Sequence, residues 1–225
     1  MSSTATNLTT FSLGAEDPLA LLPRTPIREY KKNEVIYDAQ DRGEALYLVI
    51  DGRVKLSRLT EGGKEVILDF YHKDDFFGEA GFLGRNHQGE RATALDKTSL
   101  MLWTIGELKR LMMRTPTLGP ALLRVLAQKL ADANLRIESF ALDPINRRLA
   151  QALLHLADRF GQPAENQCVH LLPITHEQLA RYVGTSREIV TQYMNQFRRE
   201  RFLKYSRRGV DLDAAALKRY LAGGA

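Results

Sequence analysis

Apolar residues recur in short runs separated by glycine-containing turns over residues 28–103. The run 45–50 is almost wholly apolar, and the next segment alternates, which places Val54, Leu56 and Leu59 on one side. Short strands at regular spacing are typical of a small barrel or sandwich rather than of a sheet built from alternating strands and helices. Further strands are predicted at 65–70, 91–96 and 98–104.

The period changes near Pro116, after which apolar residues recur three and four positions apart, as on one side of an α-helix. The helix is predicted to end at Asp143, because Pro144 disfavours helical backbone in the residue before it. Such a stripe either packs on the helix's own domain or forms the seam of a two-stranded coiled coil. The segment is longer than a mean globular helix, which favours a homodimer. The predicted dimer interface consists of Leu123, Leu126, Leu130, Ala133, Ile137 and Phe140.

The C-terminal third of the chain carries all of its excess positive charge. The net charge is +5, to which residues 1–144 contribute −1 and residues 145–225 contribute +6. Such an asymmetry indicates either a domain that binds a polyanion such as nucleic acid or a basic surface that favours solubility. Within this third the pattern predicts a helix at 145–160, a break at 161–163 and a short strand at 169–172.

Residues 174–194 contain start and stop signals for two short helices. Thr175 is a good N-cap, and Gln178 three residues later completes a capping box. Gly184 permits a sharp turn that a side chain would resist, and Ser186 caps a second helix with its own apolar face. The pattern predicts a helix-turn-helix whose second helix enters the major groove of DNA. An αα-hairpin without a ligand is the alternative.

Polar side chains at the start of this second helix suit the reading of bases. Arg187 can donate two hydrogen bonds to guanine, Glu188 can accept one from cytosine, and Gln192 can address adenine. Hydroxyl and imidazole groups nearby would instead contact the phosphate backbone. The predicted phosphate contacts are Thr175, His176, Ser186 and Thr191. Further positive charge, or a solvated helix face, comes from Arg198, Arg199, Arg201, Lys204, Arg207 and Arg208.

A second constellation lies among the predicted strands, with Gly78 and Glu79 in a glycine-containing turn and Arg91 and Ala92 at the start of a strand. A carboxylate can accept a hydrogen bond from a ribose hydroxyl, and an arginine can clamp a phosphate. From the residues alone, a structural ion pair between Glu79 and Arg91 is the alternative.

Several classes of protein are not supported by the sequence. Cys168 is the only cysteine and the five histidines have no metal-binding spacing, so no disulfide, zinc or iron–sulfur site is predicted. No nucleophile elbow, P-loop or pair of catalytic carboxylates is found, which argues against an enzyme. No apolar run would span a bilayer and the N-terminus lacks the pattern of a signal peptide, so we expect a cytoplasmic protein without a membrane partner.

Both constellations resemble one family. The segment 184–190 is similar to the recognition signature of the CRP/FNR family, the cyclic-AMP receptor proteins and their relatives. Gly78, Glu79, Arg91 and Ala92 resemble the phosphate-binding cassette of cyclic-nucleotide-binding domains. The resemblance implies an α+β protein with an N-terminal β-roll of the cyclic-nucleotide-binding type, a long dimerisation helix and a C-terminal winged helix-turn-helix. The expected parts are a lead-in at 1–24, the effector-sensing β-roll at 25–115, the dimerisation helix at 116–143 and the DNA-binding domain at 144–225, with its wing at 202–210.

The resemblance also implies an effector between the β-roll and the dimerisation helix, with cyclic AMP as the first candidate. Ala80 stands where the family usually has Leu, and the segment before the cassette arginine is longer, adding Arg85 and His87. Arg136 and Ile137 stand where the cyclic-AMP receptor contacts adenine with Thr and Ser. Cyclic GMP, another nucleotide or no ligand therefore stay open. The predicted effector contacts are Gly78, Glu79, Arg91, Ala92, Arg136 and Ile137.

The implied partner is double-stranded DNA with a pseudo-palindromic site, bound by a homodimer. Gln192 stands where the cyclic-AMP receptor branch has an arginine, so the operator need not be the same. By analogy, residues 159–170 would contact RNA polymerase, and activation is favoured over repression. A cyclic-nucleotide-binding regulatory subunit that docks a protein is the alternative from another class.

Overall fold

The computed structural model describes residues 17–41, 44–83, 89–165, 168–206 and 208–223. Most of the predicted lead-in, together with Arg85 and His87, lies outside the described residues. The N-terminal strands are β1 (Arg28–Tyr30), β2 (Val35–Tyr37), β3 (Ala45–Asp51), β4 (Val54–Leu59), β5 (Glu65–Tyr71), β6 (Phe76–Phe77), β7 (Glu90–Ala94) and β8 (Thr98–Thr104). They form two antiparallel sheets of order β1-β8-β3-β6 and β2-β7-β4-β5, which confirms the predicted β-roll.

Strand β4 departs from the sequence prediction at its last residue. Val54 and Leu56 face the core, as expected, and are nearly inaccessible to solvent. The pairing of β4 with β5 shifts register between Leu56 and Ser57, and the Ser57 side chain is buried as well. The prediction that Leu59 faces inward is wrong, since it is 47% exposed. Leu59 lies three positions after Leu56, and strict alternation places residues an odd number of positions apart on opposite faces of a strand.

Helices flank the roll. A single-turn helix α1 (Pro18–Leu21) precedes it, and α2 (Ile105–Arg114) and α3 (Leu118–Leu142) follow it. Leucines in the first turns of α3 are buried against the roll. The helix ends as predicted, because Asp143 has extended backbone before Pro144. In the part of the chain that the structure describes, no helix is both long and apolar enough to cross a membrane.

The C-terminal domain combines four helices with a small sheet. Its elements are α4 (Ile145–Phe160), β9 (Gln162–Pro163), β10 (Val169–Leu171), α5 (His176–Val183), α6 (Arg187–Arg199), β11 (Leu203–Ser206), β12 (Gly209–Leu212) and α7 (Ala214–Leu221). The sheet order is β11-β12-β10-β9, and all neighbouring strands are antiparallel. The hairpin of β11 and β12 follows α6 directly and forms the wing of a winged helix-turn-helix.

The C-terminal domain packs directly on β5 of the roll. Ile67 and Phe70 of β5 share a buried apolar core with Leu179 and Tyr182 of α5. The rings of Phe70 and Tyr182 lie 5.3 Å apart. Because the two domains share these side chains, burial of apolar surface holds the helix-turn-helix in one position relative to the roll.

Ion pairs surround this shared core. Arg159 of α4 donates to both carboxylate oxygens of Asp69 at 2.9 and 3.0 Å, and to Asp75 at 3.1 Å. Arg181 of α5 pairs with Glu65 at the start of β5. Burial would raise the pKa of Glu65, but hydrogen bonds from three neighbouring side chains outweigh it and hold that pKa below its usual value. Glu65 therefore remains charged and paired at neutral pH.

Candidate nucleic-acid interface and effector site

Local capping interactions build the helix-turn-helix. The Thr175 hydroxyl accepts a hydrogen bond from the Gln178 backbone N–H at 3.1 Å, and the Gln178 side chain accepts one from the Thr175 N–H at 2.9 Å. This is the predicted capping box, and it begins α5. The Ser186 hydroxyl likewise accepts from the Ile189 N–H at 3.3 Å and begins α6. Two of the four predicted phosphate contacts, Thr175 and Ser186, thus use their hydroxyls as helix caps.

Gly184 is required at the turn for two reasons. Its φ of +75° lies in the left-handed region, which side chains resist. A Cβ at this position would also come within 2.8 Å of the Phe140 ring at the end of α3. Phe140, predicted in the dimer interface, therefore contacts the turn of its own helix-turn-helix, and the Arg148 guanidinium lies 5.1 Å from its ring centre.

The two faces of α6 have opposite character. Val190 and Met194 are fully buried in the domain core. Arg187, Glu188 and Gln192, the three predicted base-reading residues, are exposed in its first two turns. Hydrogen bonds from the Glu188 backbone and from Ser186 lower the pKa of Glu188, which keeps its carboxylate an acceptor at neutral pH. Donors and an acceptor for base edges thus project from one solvent-facing surface.

His176 links α6 to the wing. Its Nδ1 lies 2.8 Å from the Thr191 hydroxyl, and its Nε2 lies 2.8 Å from the Tyr205 hydroxyl. The Thr191 hydroxyl donates to the Arg187 carbonyl at 2.8 Å, so its oxygen accepts from Nδ1–H and Nε2 accepts from Tyr205. Both nitrogens of this predicted phosphate contact are therefore engaged within the protein. The sequence analysis missed Tyr205, because no local pattern shows which helix a wing strand faces.

This neutral imidazole gives a testable pH dependence. Burial, and to a smaller extent the charge of Arg187, lower the pKa of His176. The unfolded chain, with a pKa of about 6.5, takes up the proton first, so stability is lost as the pH falls through that value towards the folded pKa. We expect the melting temperature of His176→Gln to fall less than that of the wild type between about pH 7.5 and about pH 5.5. Equal declines would show that His176 has no lowered pKa. Burial also lowers the pKa of His155, but His155 is present in both proteins, so its contribution cancels in the comparison.

A basic surface extends from the exposed face of α6 towards the wing. The end of α6 and the wing carry exposed cations, and the predicted cation Arg207 lies outside the described residues. Positive charge beside the predicted base-reading residues suits contact with the phosphates that flank the bases. The exposed members are Arg198, Arg199, Arg201, Lys204 and Arg208.

The cassette residues lie around a tight turn. Gly78 has a φ of +90°, and a Cβ there would lie 2.7 Å from the Ala45 carbonyl oxygen. Glu79 begins a 3₁₀ turn immediately after it. Arg91 of β7 has a buried Nε without a hydrogen-bond partner among the described residues, and the adjacent Ala92 is fully buried. The structure therefore places the carboxylate at a turn and leaves one arginine donor unsatisfied.

Glu79 already has a partner, and it comes from α3. The Lys129 ammonium lies 2.9 Å from Glu79 Oε2 and 3.4 Å from the Tyr71 hydroxyl. It also lies 4.6 Å from the centre of the Tyr71 ring. The sequence analysis missed Lys129, because a contact between residues 50 positions apart leaves no local pattern.

Aromatic rings fill the roll behind the cassette. Phe77 packs against Tyr47 and Tyr71 with ring centres 5.0 and 5.4 Å apart, and Tyr37 lies 5.4 Å from Tyr47. A cavity of about 10 Å³ borders Glu79 and Lys129. This space is far smaller than the sites of drug-sized ligands, which measure about 300–1,000 Å³.

The two effector contacts predicted on α3, Arg136 and Ile137, lie away from the cassette. The Arg136 guanidinium donates to the carbonyls of Leu68 and Tyr182 and stacks 4.1 Å from the Tyr182 ring. Ile137 is 65% exposed. The structure does not bring either residue to Glu79. Arg136 instead connects α3 to β5 and to the first helix of the DNA-binding motif.

The predicted dimer stripe is largely uncovered on the single chain. Leu123, Leu130 and Ile137 are 60%, 63% and 65% exposed, and they recur every seven residues along α3. Ala133 is also exposed, and Leu126 is half-buried. Exposed apolar residues in a heptad repeat are the pattern of a coiled-coil seam. Such a continuous apolar stripe on a surface indicates an interaction site.

The sequence matches two family models, the Cyclic nucleotide-binding domain over residues 27–115 and the Crp-like helix-turn-helix domain over residues 147–220. It is 30% identical over 197 residues to the Cyclic AMP receptor protein of Thermus thermophilus, covering 88% of each protein. The solved structure of FixK2 from Bradyrhizobium japonicum shares the fold, with a TM-score of 0.77 and 24% identity over 88% of this chain and 97% of that one. A CRP/FNR family transcriptional regulator from Thermus thermophilus gives a TM-score of 0.68 and 28% identity over 88% of this chain and 98% of that one. These likenesses, together with the exposed start of α6 and the cassette, show that the chain belongs to the CRP/FNR family of DNA-binding transcription regulators, which are not enzymes.

Proposed function

We propose that the chain is a homodimeric regulator that binds a pseudo-palindromic DNA site through two copies of α6. The observation that carries the proposal is the solvent-facing set of Arg187, Glu188 and Gln192 at the start of that helix. Two such helices about one turn of DNA apart read the two half-sites of one operator. The exposed stripe on α3 is the surface that brings the second copy into place.

For the effector, the cassette supports two candidates. Cyclic AMP is the first, because a carboxylate such as Glu79 can accept from a ribose hydroxyl and the unsatisfied Nε of Arg91 can donate to a phosphate oxygen. The relative from Thermus thermophilus is named for cyclic AMP. The second candidate is a regulator that needs no ligand, which the contact between Lys129 and Glu79 favours.

Allosteric control would act through α3. Lys129 in the middle of that helix contacts Glu79 of the cassette, and Arg136 and Phe140 nearer its end contact the helix-turn-helix. An effector that binds one arrangement of α3 more tightly than another shifts the population of DNA-competent dimers. We further propose activation through contact of residues 159–170 with RNA polymerase, in the cytoplasm.

Replacement of Arg187 tests the base-reading assignment. Arg187→Ala should cost about 1–3 kcal/mol of binding free energy and relax the preference for guanine at one position in each half-site. Selection of bound sites from random duplex DNA, followed by titration of the best site, measures both effects. The matched control is Lys204→Ala in the wing, which should weaken all sequences alike and reduce the salt dependence by about one phosphate contact. An unchanged base preference in Arg187→Ala would refute the assignment.

A further inference from the structure

The Lys129 ammonium is surrounded by groups of the kind that bind a cationic ligand. A carboxylate oxygen of Glu79, the hydroxyl of Tyr71 and the face of the same tyrosine ring surround it. Carboxylates and aromatic faces are the groups that hold alkylammonium ions in proteins. The side chains of Lys129 and Glu79 are only 22% and 34% exposed, so solvent screens this pair less than a surface salt bridge.

We propose that Lys129 is an intramolecular ligand of the cassette, which holds α3 on the roll and makes the regulator competent for DNA without a nucleotide. The inference rests on the proposed function and takes its second candidate, a regulator that needs no ligand. Glu79, the acceptor for a ribose hydroxyl, is occupied by the chain's own cation. A nucleotide hydroxyl would therefore compete with the Lys129 ammonium for Glu79.

A second residue on α3 explains how this tether reaches the DNA-binding domain. Arg136 follows Lys129 by seven residues and therefore lies on the same side of the helix. Lys129 contacts Tyr71 and Arg136 contacts Leu68, both on β5. Arg136 also contacts Tyr182 of α5. Two cations thus fix the position of α3 along the same strand that packs against the helix-turn-helix.

The test measures the affinity of nucleotide-free protein for its selected operator, with fluorescence anisotropy. We expect the wild type to bind without a nucleotide, and cyclic AMP or cyclic GMP to change its Kd less than about twofold. Lys129→Met keeps the apolar stem but removes the charge, and it should weaken binding at least about tenfold, as should Glu79→Gln. The reversed pair, Glu79→Lys with Lys129→Glu, should recover most of the loss. Arg124→Ala, an exposed position on the same helix, is the matched control and should bind as the wild type does.

Each result separates this inference from the proposed function. A wild type that binds its operator only with a nucleotide would overturn the role of Lys129 and leave the regulator intact. Wild-type affinity of nucleotide-free Lys129→Met for the operator would likewise overturn the role of Lys129 and leave the proposed function intact. Circular dichroism and a melting curve establish that each variant is folded, so that weak binding reports the tether. If the wild type binds no duplex with or without nucleotides, the proposed function itself fails.

Discussion

Leu130→Asp will convert the protein into a monomer and lower its affinity for a full operator about 10²–10⁴-fold. Leu130 is 63% exposed on the single chain and lies at the centre of the stripe on α3. In a two-fold symmetric dimer the substitution acts twice, since each aspartate would face the apolar seam of the partner. Desolvation of unpaired carboxylates opposes association. The loss in affinity follows because two linked half-site contacts gain about 10²–10⁴ over one.

Leu135→Asp is the matched control for this prediction. Leu135 is 64% exposed, which is almost the same as Leu130, and it lies on the same helix. Five residues separate the two positions, so they are about 140° apart around the helix axis. Sedimentation velocity should therefore show a dimer for Leu135→Asp and a monomer for Leu130→Asp. A dimeric Leu130→Asp variant would show that the stripe is not the interface.

Local features of the sequence predicted the DNA-binding motif well. The capping box of Thr175 and Gln178 involves residues three positions apart, and the turn at Gly184 depends on one dihedral angle. The interactions that create such features lie within a few residues, so their sequence signature is short and specific. The strands β3, β4, β5, β7 and β8 were predicted for the same reason, because alternation is a local pattern.

Contacts between distant segments were not predictable in this way. Phe140 has the right spacing for the seam of the dimer stripe. The C-terminal domain, however, packs against Phe140 and brings Gly184 into contact with its ring. The family resemblance implies an effector contact at Arg136, yet Arg136 contacts Tyr182 of that same domain. The packing of the C-terminal domain on β5 decides both outcomes, and no pattern within either segment encodes it.

The same junction gives the second large effect, in stability. We expect Arg159→Met to destabilise the protein by about 2 kcal/mol or more. Arg159 is 22% exposed and Asp69 and Asp75 are 23% and 29% exposed, so removal of the guanidinium leaves two carboxylates at a poorly solvated boundary. Breaking a fully buried pair costs about 3–5 kcal/mol, and the partial exposure here lowers the expected value.

The energetic origin of that loss can be tested within the same cluster. If the cost comes from two stranded negative charges, then adding Asp69→Asn and Asp75→Asn to Arg159→Met should recover more than half of it, because neutral amides are cheaper to bury than unpaired carboxylates. Lys218→Ala is the control, since Lys218 and Asp158 form a pair of 3.9 Å whose side chains are 61% and 65% exposed. Removal of an exposed pair should change stability by less than about 1 kcal/mol. Urea unfolding followed by circular dichroism measures all three variants. A triple variant no more stable than Arg159→Met would mean that Arg159 acts through packing on Phe160 and Tyr71 rather than through its charge.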